Sequence, residues 1–217
     1  YLLRQRMPRL IQNVKPCYAA RMSATGRNLL GDERLAGDFY ATPPWCVTAL
    51  LHGCNLPGGQ WLEPTAGDGA ITGEVLRRRA DVEWHLVESR AEELRCGGGL
   101  LSRMLRPDFP LDRVSSIEIR DFLTMPVPTK RFDVALGNPP FNLALEVIQH
   151  ALKMSNVVCM LLRINFLASQ KRAEWMRVNT PSIYVLPKRP SFTGGKTDAT
   201  EYAWFCWDGK PSRVVIL

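Results

Sequence analysis

Short runs of apolar residues recur along the chain, and longer amphipathic stretches separate them. This alternation indicates strands that alternate with helices, the arrangement of an open α/β sheet. The pattern predicts seven strands, at residues 60–62, 84–88, 116–120, 132–137, 157–162, 182–186 and 202–207, with a short additional edge at 214–216. It predicts helices at residues 45–52, 71–79, 142–153 and 169–177.

The first predicted helix has clear end signals. Thr42 is placed to cap it, Pro43 suits its first position, and Gly53 marks its end. Phe39 and Tyr40 come shortly before the cap. This aromatic pair either forms the wall of a pocket or packs on the helix as a hydrophobic staple, and the sequence leaves both interpretations open.

The loop that follows the first predicted strand is rich in glycine. Gly67 and Gly69 let the backbone approach a ligand closely at a strand–helix turn. No Gly-Lys-Ser/Thr follows, and Thr72 stands where a dinucleotide-binding loop has its third glycine. The loop also carries Glu63 and Asp68, and carboxylates disfavour a pyrophosphate but favour an ammonium or a sulfonium group. The loop therefore predicts S-adenosylmethionine rather than a nicotinamide dinucleotide as its ligand.

Acidic residues stand at the ends of the next two predicted strands, Glu88 as the last residue of one and Asp121 directly after the other. Glu88 lies roughly 20 residues beyond the glycines, where doubly wound folds place the carboxylate that binds ribose hydroxyls. The alternative is a surface glutamate at a strand end. Asp121 is placed to accept a hydrogen bond from an adenine amine, and Phe122 is placed to pack on the adenine ring. Together these positions predict a nucleoside-binding edge of the sheet.

The fourth predicted strand runs directly into Asn138, Pro139, Pro140 and Phe141. The prolines have no N–H and a fixed φ, and a residue before proline avoids the helical region, so this tip is stiff and extended. The Asn138 side-chain oxygen and the Pro139 carbonyl can accept both hydrogens of an exocyclic amine, while Phe141 stacks on the ring that carries it. The alternative is an Asn-Pro turn that ends a strand and is followed by a core phenylalanine.

The charge of the chain favours a nucleic-acid partner. The 217 residues fit a single domain with a full core and carry a formal net charge of +7. Neutralisation of phosphates by Lys and Arg supplies most of the non-specific affinity of proteins for nucleic acids. The excess of Lys and Arg in this chain would serve that purpose. The alternative is that basic residues only keep the surface soluble. Residues 1–37 are basic and weakly periodic, and they predict either a mobile arm or an arm that contacts phosphates.

Cysteine and hydropathy patterns predict a cytoplasmic protein. The six cysteines include no Cys-x-x-Cys pair and no zinc-ligand spacing, so we expect no metal site and a reducing compartment. Cys159 and Cys206 lie in apolar runs and are expected to be small core residues. The longest apolar run, residues 157–162, is too short to span a bilayer, and no secretory signal is visible. We therefore expect no membrane partner.

The motifs together resemble those of a known enzyme family. Residues 39–43, 63–69, 88, 121–122 and 138–141, in this order, are similar to the S-adenosylmethionine-dependent DNA N6-adenine methyltransferases of the gamma group. The resemblance extends over residues 38–207. It implies a Rossmann-like class I methyltransferase fold, with a seven-stranded, mainly parallel sheet, an antiparallel last strand and helices on both faces. The catalytic domain would comprise residues 38–217, after the basic arm.

The resemblance also implies roles for individual residues. The implied cofactor-binding residues are Phe39, Tyr40, Thr42, Glu63, Ala66, Gly67, Asp68, Gly69, Glu88, Asp121, Phe122 and Asn138. The implied catalytic residues, which would hold an extruded adenine, are Asn138, Pro139, Pro140 and Phe141. The loop at residues 187–192 matches the place where such enzymes add a second aromatic residue against the base. This loop and the residues 193–196 that follow it also carry basic side chains. This region therefore adds Phe192, Lys188, Arg189 and Lys196 to the candidate substrate-binding residues.

One feature departs from the gamma group, whose members usually carry a sequence-reading domain after the catalytic one. Almost no chain follows the seventh predicted strand, so we expect low sequence specificity unless a protein partner supplies target recognition. The acceptor alternatives are an RNA adenine, cytosine N4 and a protein glutamine, since Asn-Pro-Pro-aromatic tips also occur in release-factor glutamine methyltransferases. A non-catalytic nucleic-acid-binding protein of the same fold is the alternative from another class.

Overall fold

The computed structural model describes residues 11–12, 41–90, 99–104, 106–192 and 198–217. The strands of this part of the chain are β1 (Ile11–Gln12), β2 (Gly59–Glu63), β3 (Val82–Glu88), β4 (Val114–Ile119), β5 (Phe132–Gly137), β6 (Ser155–Arg163), β7 (Ser182–Val185), β8 (Tyr202–Trp207) and β9 (Val214–Ile216). The α-helices are α1 (Pro44–Gly53), α2 (Ala70–Arg78), α3 (Leu100–Met104), α4 (Ala144–Met154) and α5 (Ala173–Val178). Short 3-10 helices lie at Leu111–Arg113, Phe122–Thr124, Ile164–Leu167 and Gln170–Arg172.

All the strands join one sheet in the order β1-β4-β3-β2-β5-β6-β8-β7-β9. Strand β8 is antiparallel to β6 and β7, and the other neighbouring strands are parallel. From β2 the chain first builds outward to β3 and β4, then returns to β5 on the other side of β2. This reversal of strand order opens a crevice at the carboxyl ends of β2 and β5, where open α/β sheets bind ligands.

The predicted fold class is confirmed, but the strand count is wrong: the part of the chain that the structure describes contributes nine strands to the sheet. The two additional strands, β1 and β9, have 2 and 3 residues. Segments this short cannot show an alternation of polar and apolar residues, which is why the sequence indicated β9 only as a possible edge and gave no sign of β1. Strand β1 lies within the predicted N-terminal arm and pairs with β4, at Ile117 and Glu118.

Successive residues of the central strands alternate between two apolar cores, one on each face of the sheet. Helices α1, α2 and α3 cover one face, where Trp61, Trp84 and Trp204 are fully buried. Helix α4 covers the other face, where it packs on Ala135 and Phe205. The expectation of helices on both faces is thus confirmed. Within the described residues, no helix combines the length and apolarity needed to cross a membrane.

Helix α1 begins at Pro44, one residue after the first helical position that the capping signals predicted, because its start contains two prolines. Pro43 precedes Pro44 and is therefore held out of the helical region, with a ψ of 136°. Pro44 becomes the first helical residue, and Pro43 takes the capping position without a side-chain hydrogen bond. Thr42 is thus not the predicted helix cap, and its hydroxyl contacts another part of the chain.

Cys159 and Cys206 are opposite each other in the pairing of β6 with β8. Both are fully buried, as the sequence predicted for small core residues. The structure also joins them in a disulfide, with Cα atoms 4.2 Å apart. Their separation of 47 residues carries no pairing signal, so only the strand register reveals this contact. Cys46 and Cys54 are buried free thiols.

Candidate active site

Most of the predicted site residues that the structure describes lie along one edge of the sheet. Glu63 ends β2, Glu88 ends β3, and Asn138 directly follows β5. Because β2, β3 and β5 are parallel neighbours, their carboxyl ends meet at this edge. Arg163 ends β6 at the same edge and pairs with Tyr202, the first residue of antiparallel β8. Two parts of the predicted site, the glycine loop and the Asn-Pro-Pro-Phe tip, therefore flank the crevice at the reversal of strand order.

The glycine loop needs glycine at two positions. Gly67 and Gly69 have φ values of 54° and 73°, in the left-handed region that disfavours other residues. The Gly69 N–H donates to the Ala66 carbonyl at 2.8 Å, which closes the turn before α2. A Cβ on Gly69 would lie 2.7 Å from Leu100 Cδ1, so α3 packs directly against the loop backbone. The loop is thus tight and closely supported.

Glu88 supports this loop from β3. Its Oε2 accepts a hydrogen bond from the Gly67 N–H at 2.7 Å, and the carboxylate is almost completely buried. Its Oε1 accepts from the Arg90 backbone N–H at 2.9 Å and from Arg90 Nε at 3.0 Å. The carboxylate therefore ties the loop to β3 and is paired with a guanidinium. Its predicted contact with ribose hydroxyls stays a prediction.

Asp68 holds the start of α2. Its Oδ1 accepts from the Ala70 N–H at 3.1 Å, and its Oδ2 forms an ion pair with Arg103 at 2.5 Å. Arg103 Nε also donates to the Asp68 carbonyl at 2.8 Å. The negative charge of Asp68 is thus compensated by a residue that the sequence did not bring into the site.

Glu63 lies beneath the loop, with 1% of its surface exposed. Its Oε2 accepts hydrogen bonds from the Thr72 N–H at 3.2 Å and from the Thr72 hydroxyl. Burial raises the pKa of Glu63 to about 8; the Thr72 hydrogen bonds oppose this shift, and the charges of Asp68 and Glu88 add to it. Glu63 is therefore largely protonated at neutral pH, and it offers a ligand neither surface nor a full charge. The sequence suggested that Glu63 favours a sulfonium ligand through its negative charge, and a buried, protonated Glu63 weakens that argument.

Asn138 and Thr42 come together across 96 residues of sequence. Asn138 Nδ2 donates to Thr42 Oγ1 at 3.2 Å, and Thr42 is buried. Since the oxygen and nitrogen of an amide diverge from one planar carbon, this bond directs Asn138 Oδ1 to a different side from Thr42. Thr42 was expected at the site as a helix cap and a cofactor residue, and it is found as the partner that orients the Asn138 amide.

Aromatic rings gather beside the tip. Phe141 and Phe192 both pack near Tyr202, with ring centroids 6.1 Å and 5.1 Å from the tyrosine ring. The guanidinium carbon of Arg163 lies 4.2 Å from the centroid of the Phe141 ring. The sequence predicted Phe141 and Phe192, but it placed Tyr202 only in the strand at 202–207 and predicted no role for Arg163, which follows the apolar run at 157–162. A charged residue at the carboxyl end of a central strand was the available signal for Arg163.

Asp121 and Phe122 lie in different environments, since Asp121 is exposed and Phe122 is buried. Asp121 caps a 3-10 helix, since its Oδ1 accepts from the Leu123 N–H at 2.9 Å, and it is exposed. Phe122 is 3% exposed and packs edge-on against His150, with centroids 4.9 Å apart, in the core beneath α4. A ring buried in this way has almost no surface for an adenine. The predicted stacking role of Phe122 is therefore not supported by its position.

The predicted basic contacts lie at the surface. Lys188 Nζ is 4.9 Å from the Trp45 ring centroid, and Arg189 forms an exposed ion pair with Glu201 at 2.8 Å. Phe39, Tyr40 and Lys196 lie outside the described residues. Their predicted roles remain predictions.

Replacement of Gly69 by alanine is expected to lower the free energy of unfolding by about 2–4 kcal/mol, because left-handed strain adds to overpacking against Leu100. Gly209 provides a matched control. Its φ is 69°, but no atom of the described residues lies within 4 Å of an added Cβ. Gly209→Ala should therefore cost only the strain, about 1–2 kcal/mol. Urea denaturation measures both, and equal losses would refute the close packing of α3 on the loop.

Comparison with known proteins places the fold. No protein-family model and no curated protein sequence matches the chain. Among solved structures, the methyltransferase subunit of a type I restriction-modification system from Streptococcus thermophilus matches with a TM-score of 0.58 and 15% identity, over 77% of this chain and 44% of that chain. The 23S rRNA methyltransferase ErmE matches with a TM-score of 0.55 and 16% identity, over 77% of this chain and 68% of that chain. A predicted O-methyltransferase from Agrobacterium tumefaciens matches with a TM-score of 0.58 and 17% identity, over 80% and 84%.

These likenesses show the fold. The chain has the fold of class I S-adenosylmethionine-dependent methyltransferases, as predicted. It spans less than half the length of the type I subunit, at 44%. ErmE is a 23S rRNA methyltransferase and the Agrobacterium protein is a predicted O-methyltransferase, so the shared fold does not fix the acceptor. The acceptor of this chain has to be argued from its own residues.

Proposed function

We propose that the protein transfers a methyl group from S-adenosylmethionine to the N6 amine of adenine in DNA, with low sequence specificity. The observation that carries the proposal is the Asn138–Phe141 tip at the reversal of strand order. There, Thr42 orients the Asn138 amide at 3.2 Å, and Phe141 lies within an aromatic cluster. An amide acceptor beside a stacking ring suits a conjugated exocyclic amine and has no use in hydride transfer.

The residues around the glycine loop fit the proposed cofactor. Gly67 and Gly69 place backbone at the crevice without side chains, Glu88 ends β3 beside it, and Asp121 lies two residues after the end of the neighbouring strand β4. Thr65 Oγ1, within the same loop, is buried and has no hydrogen-bond partner among the described residues. A buried hydroxyl without a partner is costly, so the loop is suited to a ligand with polar groups. The cofactor would supply an electrophilic methyl group on its sulfonium.

The tip would orient the acceptor for attack. Asn138 Oδ1 and the Pro139 carbonyl would accept the two N6 hydrogens and so orient the nitrogen lone pair for attack. Transfer of the methyl group from the sulfonium would leave a neutral thioether, and the methylated nitrogen would release one proton to solvent. An adenine within a duplex must first leave its stack, because N6 cannot be reached there. Stacking on Phe141, with Phe192 nearby, recovers about 1–3 kcal/mol per base. Orientation is then the main contribution of the protein, and no covalent enzyme intermediate is needed.

The proposed DNA partner rests on charge. The net charge of +7 favours a polyanion, and Lys188 and Arg189 lie at the surface on the loop that leads to Phe192. Contacts to phosphates position a protein but do not read sequence. We therefore propose that strong sequence specificity, where it exists, comes from a protein partner.

The test is to incubate the protein with methyl-labelled S-adenosylmethionine and, separately, unmethylated duplex DNA, single-stranded DNA, total RNA and cell protein. We expect label in N6-methyladenine from DNA, spread over many sequence contexts. Label in RNA, in cytosine or in protein would overturn the DNA adenine acceptor and keep methyl transfer. Cofactor binding by calorimetry without any labelled product would overturn catalysis and favour a non-catalytic nucleic-acid-binding protein.

A further inference from the structure

Arg163 is the one guanidinium of the described residues that stacks on a ring of the Asn-Pro-Pro-Phe tip. It ends β6, next to β5, which leads into the tip. Its guanidinium carbon lies 4.2 Å from the Phe141 centroid and 5.9 Å from the Tyr202 centroid. This places a planar cation over one face of the ring that is proposed to stack on the acceptor.

Within the described part of the chain, the side chains of Tyr202 and Asp198 hold Arg163 in this position. Its Nε donates to Tyr202 Oη at 2.9 Å, and Tyr202 Oη donates to Asp198 Oδ2 at 2.6 Å. Asp198 Oδ2 also lies 3.5 Å from a terminal nitrogen of Arg163. Tyr202 has only 1% of its surface exposed and is fixed in β8, so the network has a rigid base.

The protonation states fix which groups of this network donate hydrogen bonds and which accept them. Burial raises the pKa of Tyr202 to about 12, so its hydroxyl keeps its proton at neutral pH. Burial opposes ionisation of Asp198, but the hydrogen bond from Tyr202 and the charge of Arg163 outweigh it and lower the Asp198 pKa. The tyrosine can therefore accept from Arg163 while it donates to an ionised Asp198.

We propose that Arg163 is a positioning residue for the acceptor: it covers one face of Phe141, fixes the plane of that ring, and leaves the opposite face to a planar acceptor base. The inference rests on the proposed function and makes it more specific. A flat base loses contact when the ring beneath it tilts, whereas the small amide of a glutamine side chain depends on ring orientation far less. Arg163 thus favours a nucleobase over a protein amide as the acceptor.

Lysine at position 163 tests this inference, because it keeps the charge and loses the planar guanidinium. We expect Arg163→Lys to lower kcat on duplex DNA by about 10- to 100-fold, since a misplaced acceptor reacts poorly. The dissociation constant for S-adenosylmethionine should stay within about twofold, because Arg163 acts on the acceptor side. The matched control is Arg172→Lys: that guanidinium carbon also stacks on a ring, 4.3 Å from the centroid of Phe166, which belongs to the other apolar core and not to the one that Phe141 contacts.

Two further variants separate positioning from folding. Tyr202→Phe removes the hydroxyl that accepts from Arg163 and donates to Asp198, so it should reproduce part of the kcat loss. Because two partly buried groups lose a hydrogen bond, the thermal unfolding midpoint should fall modestly, and an unchanged near-UV circular dichroism spectrum at the assay temperature shows that the fold is kept. In a Phe141→Leu background, Arg163→Lys should have little further effect, because the ring on which it acts is absent.

Three results would overturn the inference. The first is a kcat for Arg163→Lys equal to that of Arg172→Lys. The second is a loss of kcat by Arg163→Lys that is as large in the Phe141→Leu background as in the wild type. The third is an Arg163→Lys variant that loses cofactor affinity and kcat by equal factors. Each of them leaves methyl transfer by the wild-type protein intact. A wild-type protein that transfers no methyl group to any acceptor overturns the proposed function and the inference together, so the two failures are distinguishable.

Discussion

Replacement of Asn138 by alanine is expected to lower kcat by about 100-fold or more, while the dissociation constant for S-adenosylmethionine changes by about twofold or less. The physical reason is that the Asn138 amide is held by Thr42 at 3.2 Å, which directs Oδ1 away from Thr42 as an acceptor for the target amine. Without that acceptor, the amine is held by the Pro139 carbonyl alone and samples unreactive orientations. Single-turnover kinetics with labelled cofactor, beside calorimetry, measures both quantities.

Asn179 offers a matched control for this substitution. Its Nδ2 also donates to an oxygen, the Trp175 carbonyl at 2.9 Å, but it lies at the end of α5. Asn179→Ala should therefore leave kcat near the wild-type value. Asn138→Asp keeps an acceptor oxygen but loses the donor to Thr42, and we expect an intermediate kcat. Equal losses of kcat and cofactor affinity in Asn138→Ala would show that Asn138 supports the cofactor rather than the acceptor.

Local backbone chemistry made two parts of the candidate site predictable from sequence. The Asn-Pro-Pro-Phe tip is recognisable because prolines cannot extend a ladder, and it follows β5 as expected. The glycine loop is recognisable because positions such as Gly67 and Gly69, with φ of 54° and 73°, are open to few other residues. Both features depend on a few consecutive residues, so no knowledge of strand order was needed.

Contacts between distant segments were not predictable. Arg103 reaches Asp68 across 35 residues, and Arg163 reaches Tyr202 across 39. The first pair depends on how α3 packs against the glycine loop, and the second depends on the pairing of β6 with β8 and on its register. The polar and apolar pattern contains neither. The burial of the Phe122 ring could not be predicted from sequence either. Its position after a strand suggested a ligand contact, but its ring turns into the core.

These contacts also change the electrostatic argument for the loop. The sequence suggested several carboxylates facing a cationic ligand. In the structure Asp68 pairs with Arg103 and Glu88 pairs with Arg90, so both charges are largely compensated. Glu63 is buried and shares one carboxylate oxygen with two donors of Thr72. The carboxylates therefore act mainly on the shape of the loop, and Glu63 becomes a determinant of its stability.

Replacement of Glu63 by glutamine is expected to stabilise the protein at alkaline pH and to have little effect at acidic pH. Burial raises the Glu63 pKa from 4.5 to about 8, so the folded state holds a proton that the unfolded state releases. The stability that the protonated group contributes is complete below the unfolded pKa and is lost as the pH rises toward the folded pKa. Glutamine does not titrate, so the unfolding free energy of Glu63→Gln should exceed that of the wild type by an amount that grows as the pH rises from the unfolded pKa to the folded pKa of Glu63. This difference should reach about 5 kcal/mol at most.

Urea denaturation of the two proteins at several pH values between about 4 and 9 measures this difference. Glu146→Gln, which changes an exposed carboxylate on α4, is the control for altered net charge. Thr72→Val removes the hydroxyl that bonds to Glu63 and should lower stability at every pH, because the buried carboxyl loses a donor. Parallel pH profiles for wild type and Glu63→Gln would mean that Glu63 is ionised beneath the loop. Its carboxylate would then be a source of negative charge for a sulfonium ligand, as the sequence first suggested.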